Sequence, residues 1–187
     1  MAGPLHLLAA ETATFPVLTA MVVIPVIGAL VLLMLPDHRP EHFKQLAFLF
    51  SSVTGAMAVW VLTDFDTGDA AAEFQLVDSA TWIESLGISW TLGVDGISLW
   101  LVVLTGLIFP LAIVGVDADH SPKAYFAWLL VLEAGCMGVF VALDLFVFFV
   151  FFEIVLVPMY FLIGKWGHGE RAYAATKFFL FTMFGSA

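Results

Sequence analysis

Residues 124–164 form a run of 41 positions interrupted by only three charges, Glu133, Asp144 and Glu153, and by no base. Drawn as one helix it would be about 60 Å long at 1.5 Å per residue. That is twice the ~30 Å hydrocarbon core of a bilayer. The run must therefore double back, and Asp144 is the only residue that makes a corner, as an N-cap for a second helix. The rest of the chain has the same character. Of its 187 residues 62% are hydrophobic and 12% charged, with a mean hydropathy of +1.05, against about 45–50% apolar and about 25% charged in soluble domains. Disordered chains are polar and highly charged, so the class that remains is an integral membrane protein.

Six stretches suit spanning helices: 17–35, 43–63, 97–116, 124–143, 145–164 and a sixth from 171 that is still apolar at 187. The fold class is all-α, a multi-pass transmembrane bundle of one domain over 1–187. Pro110 and Pro158 lie inside spans, where they kink helices. Residues 64–96 are not a span: they carry seven acids and no bases. Within them Leu86, Ile88, Trp90, Leu92 and Val94 alternate with Gly87, Ser89, Thr91, Gly93 and Asp95, the period of a half-buried strand. Residues 74–83 are expected to pair with it as a hairpin on the outer face, with Trp82 and Trp90 at the membrane interface.

Bases set orientation, because Lys and Arg stay cytoplasmic. Arg39 and Lys44, then Lys123, then Lys165 and Arg171 fall between alternate pairs of spans, and the other connections have none. This places the N-terminus outside. Residues 1–16 carry no base, unlike a signal peptide, so the first span is expected to be retained. A net charge of −10 argues against a nucleic-acid partner.

Charge inside hydrocarbon is costly and is a functional hypothesis by default. Glu133, Glu153 and Lys177 qualify, at similar depths on consecutive antiparallel helices. From the base-bearing ends of their spans the two acids are about 14–16 Å deep and Lys177 about 9 Å. An acid in oil whose proton affinity depends on a nearby cation can hold or release a proton, which is what a step in a proton path requires. Five phenylalanines precede Glu153, and Pro158 deprives the Ile154 carbonyl of its helical partner, so that a water can bind beside the acid. The alternatives are structural: Glu153 pinning helix packing through a cation, Lys177 snorkelling to the surface, Glu133 making a satisfied interhelical hydrogen bond.

Other signals are weaker. The string Gly167-His168-Gly169-Glu170-Arg171-Ala172 follows a span rather than a strand and reads as a loop, not a dinucleotide site. All five histidines are expected in loops, which disfavours a bis-histidine haem. Cys136, the single cysteine, cannot by itself hold a zinc or an iron–sulfur cluster. It reads as a small packing residue beside Gly135 and Gly138.

The run from Ala142-Leu143-Asp144-Leu145-Phe146 through Glu153-Ile154-Val155-Leu156-Val157-Pro158-Met159-Tyr160 to Gly164-Lys165-Trp166-Gly167 resembles the antiporter-like membrane subunits of proton-pumping NADH–quinone oxidoreductase (respiratory complex I), in their chain M (subunit 4) branch. Gly93-Val94-Asp95-Gly96-Ile97-Ser98-Leu99 and Ala174-Ala175-Thr176-Lys177-Phe178-Phe179 are similar to two further family elements. The resemblance implies proton translocation coupled to electron transfer from NADH to quinone, with Glu153 the essential proton-path acid and Lys177 the family's sixth-span lysine. Glu133 matches no family motif and is kept as a relay candidate. It implies no cofactor in this chain; NADH, FMN, iron–sulfur clusters and quinone belong to partner subunits. Its partners are the other membrane-arm subunits and the lipid bilayer, in a bacterial plasma membrane. Family members run to about fourteen spans, so the chain is expected to be an N-terminal fragment. The alternatives are an Mrp-type cation/proton antiporter subunit and a non-transporting membrane scaffold.

Overall fold

A computed structural model describes residues 15–36, 40–68, 73–118 and 120–187, with the side chains of Pro40 and Glu41 left out. Six α-helices follow one another with a two-stranded hairpin in the middle: α1 Val17–Met34, α2 Pro40–Asp64, β1 Gln75–Ile83, β2 Ile88–Val94, α3 Ser98–Gly115, α4 Pro122–Val141, α5 Leu145–Trp166 and α6 Arg171–Ser186. Five of the helices, α1 to α5, are long and apolar enough to cross a membrane; α6 has 16 residues. Large apolar side chains cover their outer surfaces, for example Leu30, Trp100, Leu104 and Leu111. In water each of these would be a liability, and in lipid none is. The chain is a multi-pass membrane protein.

Helix α4 is the hub, packed against α1, α2, α3 and α5, with α6 laid on α5. Small residues let these helices approach. A Cβ on Gly55 would strike the Gly106 carbonyl oxygen, so α2 and α3 touch backbone to backbone. A Cβ on Gly138 would strike the Phe151 ring of α5.

The two ends of the bundle differ. At one end Lys44 pairs with Asp117 at 2.6 Å, Lys123 donates to the Leu35 carbonyl at the end of α1, and Arg171 donates to the Lys165 carbonyl. The Trp166 indole donates to the His120 carbonyl there. At the other end sits the hairpin. Its strands pair antiparallel, Ser79 opposite Thr91 and Ala80 opposite Trp90, around a 3₁₀ turn at Glu84–Leu86 closed by Gly87 at φ +68°. A left-handed residue there costs glycine nothing.

The hairpin grips three helices. The Thr19 amide of α1 donates to the Asp78 carboxylate, and the Trp90 indole donates to the Thr19 hydroxyl. The α4–α5 corner runs alongside β2, where the Leu143 amide donates to the Thr91 carbonyl at 2.9 Å. Asp144 is the corner, accepting from the amides of Phe146, Val147 and, across the gap, Ser89. At the start of α3, Asp95 and Ser98 cap reciprocally: the Ser98 amide donates to the Asp95 carboxylate and the Asp95 amide donates to the Ser98 hydroxyl. That bond from the Ser98 amide, stronger than the opposing desolvation, holds the Asp95 carboxyl below its usual range.

Four details differ from the sequence expectation. The strand begins at Ile88, because Leu86 belongs to the turn and is exposed. Burial does not alternate at its end: Leu92, Gly93 and Val94 are all buried, since the Leu143 side chain covers the second face at Gly93. Three helices, not two, carry a proline in their interior, Pro25 of α1 being the third. His42 lies in the first turns of α2 rather than in a loop, because the helix starts at Pro40, a residue suited to a helix start. His6 and His38 lie outside the described residues, as does Arg39.

Burial alone would raise the Asp144 carboxyl, but the amides of Ser89, Val147 and Phe146 outweigh it and hold the group below its usual value. The stability it gives is therefore present above the ordinary Asp value of about 3.9 and is lost as pH falls through the lower folded value. Asp144→Ala should destabilise the full-length protein in detergent by roughly 1 kcal/mol at neutral pH. The difference from the unsubstituted protein should shrink in acid, as read from thermal unfolding across pH.

Candidate functional site

The core divides into two apolar clusters with a polar belt between them. Towards the hairpin lie Leu18, Met21, Ala58, Val61, Val102 and Met137. Towards the base-rich end lie Ala29, Leu32, Ala47, Ile113, Phe126 and Leu130. On α2, α3 and α4 the residues between these clusters include Ser51, Thr54, Thr105 and Glu133, all buried. Thr54 and Thr105 turn their hydroxyls back onto their own helices, to the carbonyls of Phe50 and Leu101. Ser51 reaches across instead and donates to Glu133 Oε1 at 2.9 Å. Glu133 is fully enclosed, and among the described residues no group bonds its Oε2. Cys136 is one turn further along α4. An interhelical hydrogen bond is thus present, but it satisfies only half of the carboxyl group.

Glu153 sits in the middle of α5, half-buried, and accepts a hydrogen bond from the Ser186 hydroxyl of α6. Pro158 is buried one turn beyond it. Lys177 is exposed on α6, with Nζ 5.7 Å from the centre of the Tyr173 ring. Among the described residues the one ion pair is Lys44–Asp117, so Glu153 and Lys177 do not meet. The reason is depth. Helix α5 runs on to Trp166, which sets Glu153 level with Ser186, nine residues past Lys177 or about 13 Å along α6. The expected similarity of depth holds for the two acids and not for the lysine. Cys136 is half-buried, and Gly135 and Gly138 beside it meet Val155 and Phe151 of α5. Residues 167–170 link α5 to α6 with Gly169 at φ +65°. Among the described residues no three of His, Cys, Asp or Glu gather as metal ligands.

The Ser51–Glu133 bond and the Gly55–Gly106 contact escaped the sequence reading. Their signal was present in the second span, where Ser51, Gly55 and Ala58 follow at helical spacing, the pattern of a tight helix interface.

Residues 142–187 match the family described as NADH:quinone oxidoreductase/Mrp antiporter, transmembrane, a region that contains both Glu153 and Lys177. Over 178 residues, 91% of this chain and 36% of the relative, the sequence is 35% identical to NADH-quinone oxidoreductase subunit M of Rickettsia bellii. The chain is similar to membrane subunits of the NADH:quinone oxidoreductase/Mrp antiporter family. It is also 40% identical over 170 residues to NAD(P)H-quinone oxidoreductase chain 4 3 of Picosynechococcus, covering 90% of this chain and 30% of that one. Among solved structures it is similar to a chain of respiratory complex I from Thermus thermophilus with bound NADH, with a TM-score of 0.75 and 26% identity over 90% of this chain and 33% of that one. A chain of the membrane-bound sulfane sulfur reductase, an archaeal respiratory membrane complex, shares the fold, with a TM-score of 0.74 and 19% identity over 92% of this chain and 35% of that one. The chain spans about a third of the length of the relatives it matches.

Removing one partner of a buried hydrogen bond costs more than removing both. Ser51→Ala, which strips Glu133 of its donor, should destabilise the full-length protein by roughly 1–3 kcal/mol. Ser51→Ala combined with Glu133→Leu should recover part of that loss in detergent unfolding.

Proposed function

We propose that the protein is a membrane-arm subunit of an NADH–quinone oxidoreductase, and that its part of the enzyme is proton translocation coupled to electron transfer from NADH to quinone. The observation that carries this reading is Glu153, an ionisable acid eight residues inside α5 within the region matching the antiporter family. Glu153 is the proton-holding group. Its partner within the described residues is the Ser186 hydroxyl, a donor that also accepts and can therefore pass a proton on. Lys177, on the adjacent helix, is the cation whose field favours the ionised acid. It acts across the α5–α6 contact at a distance, without a direct ion pair. Glu133, level with Glu153 on α4, is a lateral relay.

The relatives named above support this assignment over an Mrp-type cation/proton antiporter, since those names are of quinone oxidoreductase subunits. The hydride and electron chemistry would reside in partner subunits carrying FMN, iron–sulfur clusters and quinone. The base-rich end faces the cytoplasm of a bacterial plasma membrane, and the hairpin and N-terminus face outside, because Lys and Arg resist translocation.

Glu153→Gln, introduced into the full-length chain in native membranes, should leave the complex assembled while NADH-driven proton pumping and coupled quinone reduction fall to a small residue. Lys177→Ala should give the same phenotype more mildly. An assembled Glu153→Gln complex that pumps normally would leave only the scaffold role. Sodium-dependent transport without quinone reductase activity would point to the Mrp type.

A further inference from the structure

Glu133 lies outside the region that matches the family, and it is the most completely enclosed ionisable group among the described residues. At the base-rich end of the bundle lies a cavity of about 580 Å³. Its wall is built from α2, α3 and α4 and includes Lys44, Gln45, Phe48, Asp117 and Phe126. The mouth is polar: Lys44 and Asp117 pair there at 2.6 Å, and the Asp117 side chain is 89% exposed. From this mouth two helices run inward together. Ser51 lies seven residues beyond Lys44 on α2, and Glu133 lies seven residues beyond Phe126 on α4, each step about 10 Å. The two helices meet again at the Ser51–Glu133 hydrogen bond. Along this stretch of the two helices lie Ala47 of α2 and Phe126 and Leu130 of α4, all apolar and buried.

We propose that the Lys44–Asp117 cavity is the aqueous mouth of a proton-access route along the α2–α4 seam. The route ends at Glu133 and is closed in this structure by the Ala47–Phe126–Leu130 layer. Ser51 is the positioning residue: it holds Oε1, which turns the unbonded Oε2 into the atom free to exchange a proton. The mouth is distinct from the Glu153–Ser186 contact, which joins α5 to α6. The proposal rests on the proton-transfer reading for its purpose, but access itself is measured without it.

The test uses the full-length chain in its assembled complex with Cys136→Ser, so that no native thiol of this segment reacts. In that background Ala47→Cys is exposed to a small cationic methanethiosulfonate added to either side of membrane vesicles. Labelling is expected from the base-rich side, and several-fold faster when Phe126→Ala is added. Ala58→Cys, equally buried on the same helix but towards the hairpin, should stay unlabelled in both backgrounds. Ala47→Cys as inert as Ala58→Cys in both backgrounds, or labelled only from the hairpin side, overturns the route. If Ala47→Cys prevents accumulation, Leu130→Cys probes the same layer from α4. Glu133→Gln should then lower the protons moved per electron pair without changing labelling. An unchanged yield with normal labelling overturns Glu133 as the end of the route while leaving Glu153 in place. Absence of proton movement in the unsubstituted complex, by contrast, is a failure of the functional reading and not of the access route.

Discussion

Hydrocarbon supplies a backbone with no hydrogen bonds, so wherever this chain leaves one helix for the next it must bring donors and acceptors of its own. The corner at Asp144 meets that demand with one carboxylate. It caps α5 through two amides, takes a third from Ser89, and lies beside a β-type bond from Leu143 to Thr91. The hairpin that receives it is fastened to α1 through Thr19. A single small sheet therefore sets the heights of α1, α4 and α5 against one another. The consequence is felt well inside the bundle. Glu133 lies eight residues before the end of α4 at Val141, and Glu153 eight residues after the start of α5 at Leu145. Both acids hang about 12 Å below the same corner. Their common level is a property of the turn, not of any contact between them.

Much of this was legible because hydrophobic length and hydrogen-bond need are both written locally. The doubling back at Asp144 follows from a run too long for a bilayer and from one residue able to cap a helix. The hairpin follows from a period of two in a segment too acidic to enter lipid. What failed to show were features set by a partner element. The covered second face of Gly93 depends on Leu143, fifty residues later, and an alternation pattern carries no information about a side chain arriving from another loop. Likewise the depth of Lys177 was counted from the wrong datum. Distance from a helix's own end says where a residue sits on that helix, while the overlap of α5 and α6 decides which residues face each other.

The two acids show how one chemistry is placed in two environments. Glu133 is in the packed centre, in a belt where Thr54 and Thr105 turn their hydroxyls back onto their own helices and Ser51 alone of the three reaches across. Its single bond crosses from α2, and α2 is itself drawn against α3 by the Gly55–Gly106 contact. Any shift of α2 therefore reaches this carboxyl directly. Glu153 is on the outer side of the hub, half-buried, bonded to the end of α6. Its environment is governed by how α6 lies on α5.

That division bears on what a proton path here requires. A buried acid in a rigid surround would hold one protonation state indefinitely, because interiors are close-packed and resist small deformations. To exchange, it needs a neighbour with two arrangements. For Glu153 the movable neighbour is α6, a 16-residue helix held to α5 on one face and carrying Lys177 about 13 Å from the bonded Ser186. Sliding α6 by the nine residues that separate Lys177 from Ser186 is far beyond any packed-helix shift. A direct Glu153–Lys177 pair is therefore not what the α5–α6 contact offers, and in the function proposed above the lysine acts through its field along α6 rather than by contact. Removing its charge should consequently weaken proton transfer less than removing the carboxyl itself, which is why the two substitutions are expected to differ in degree.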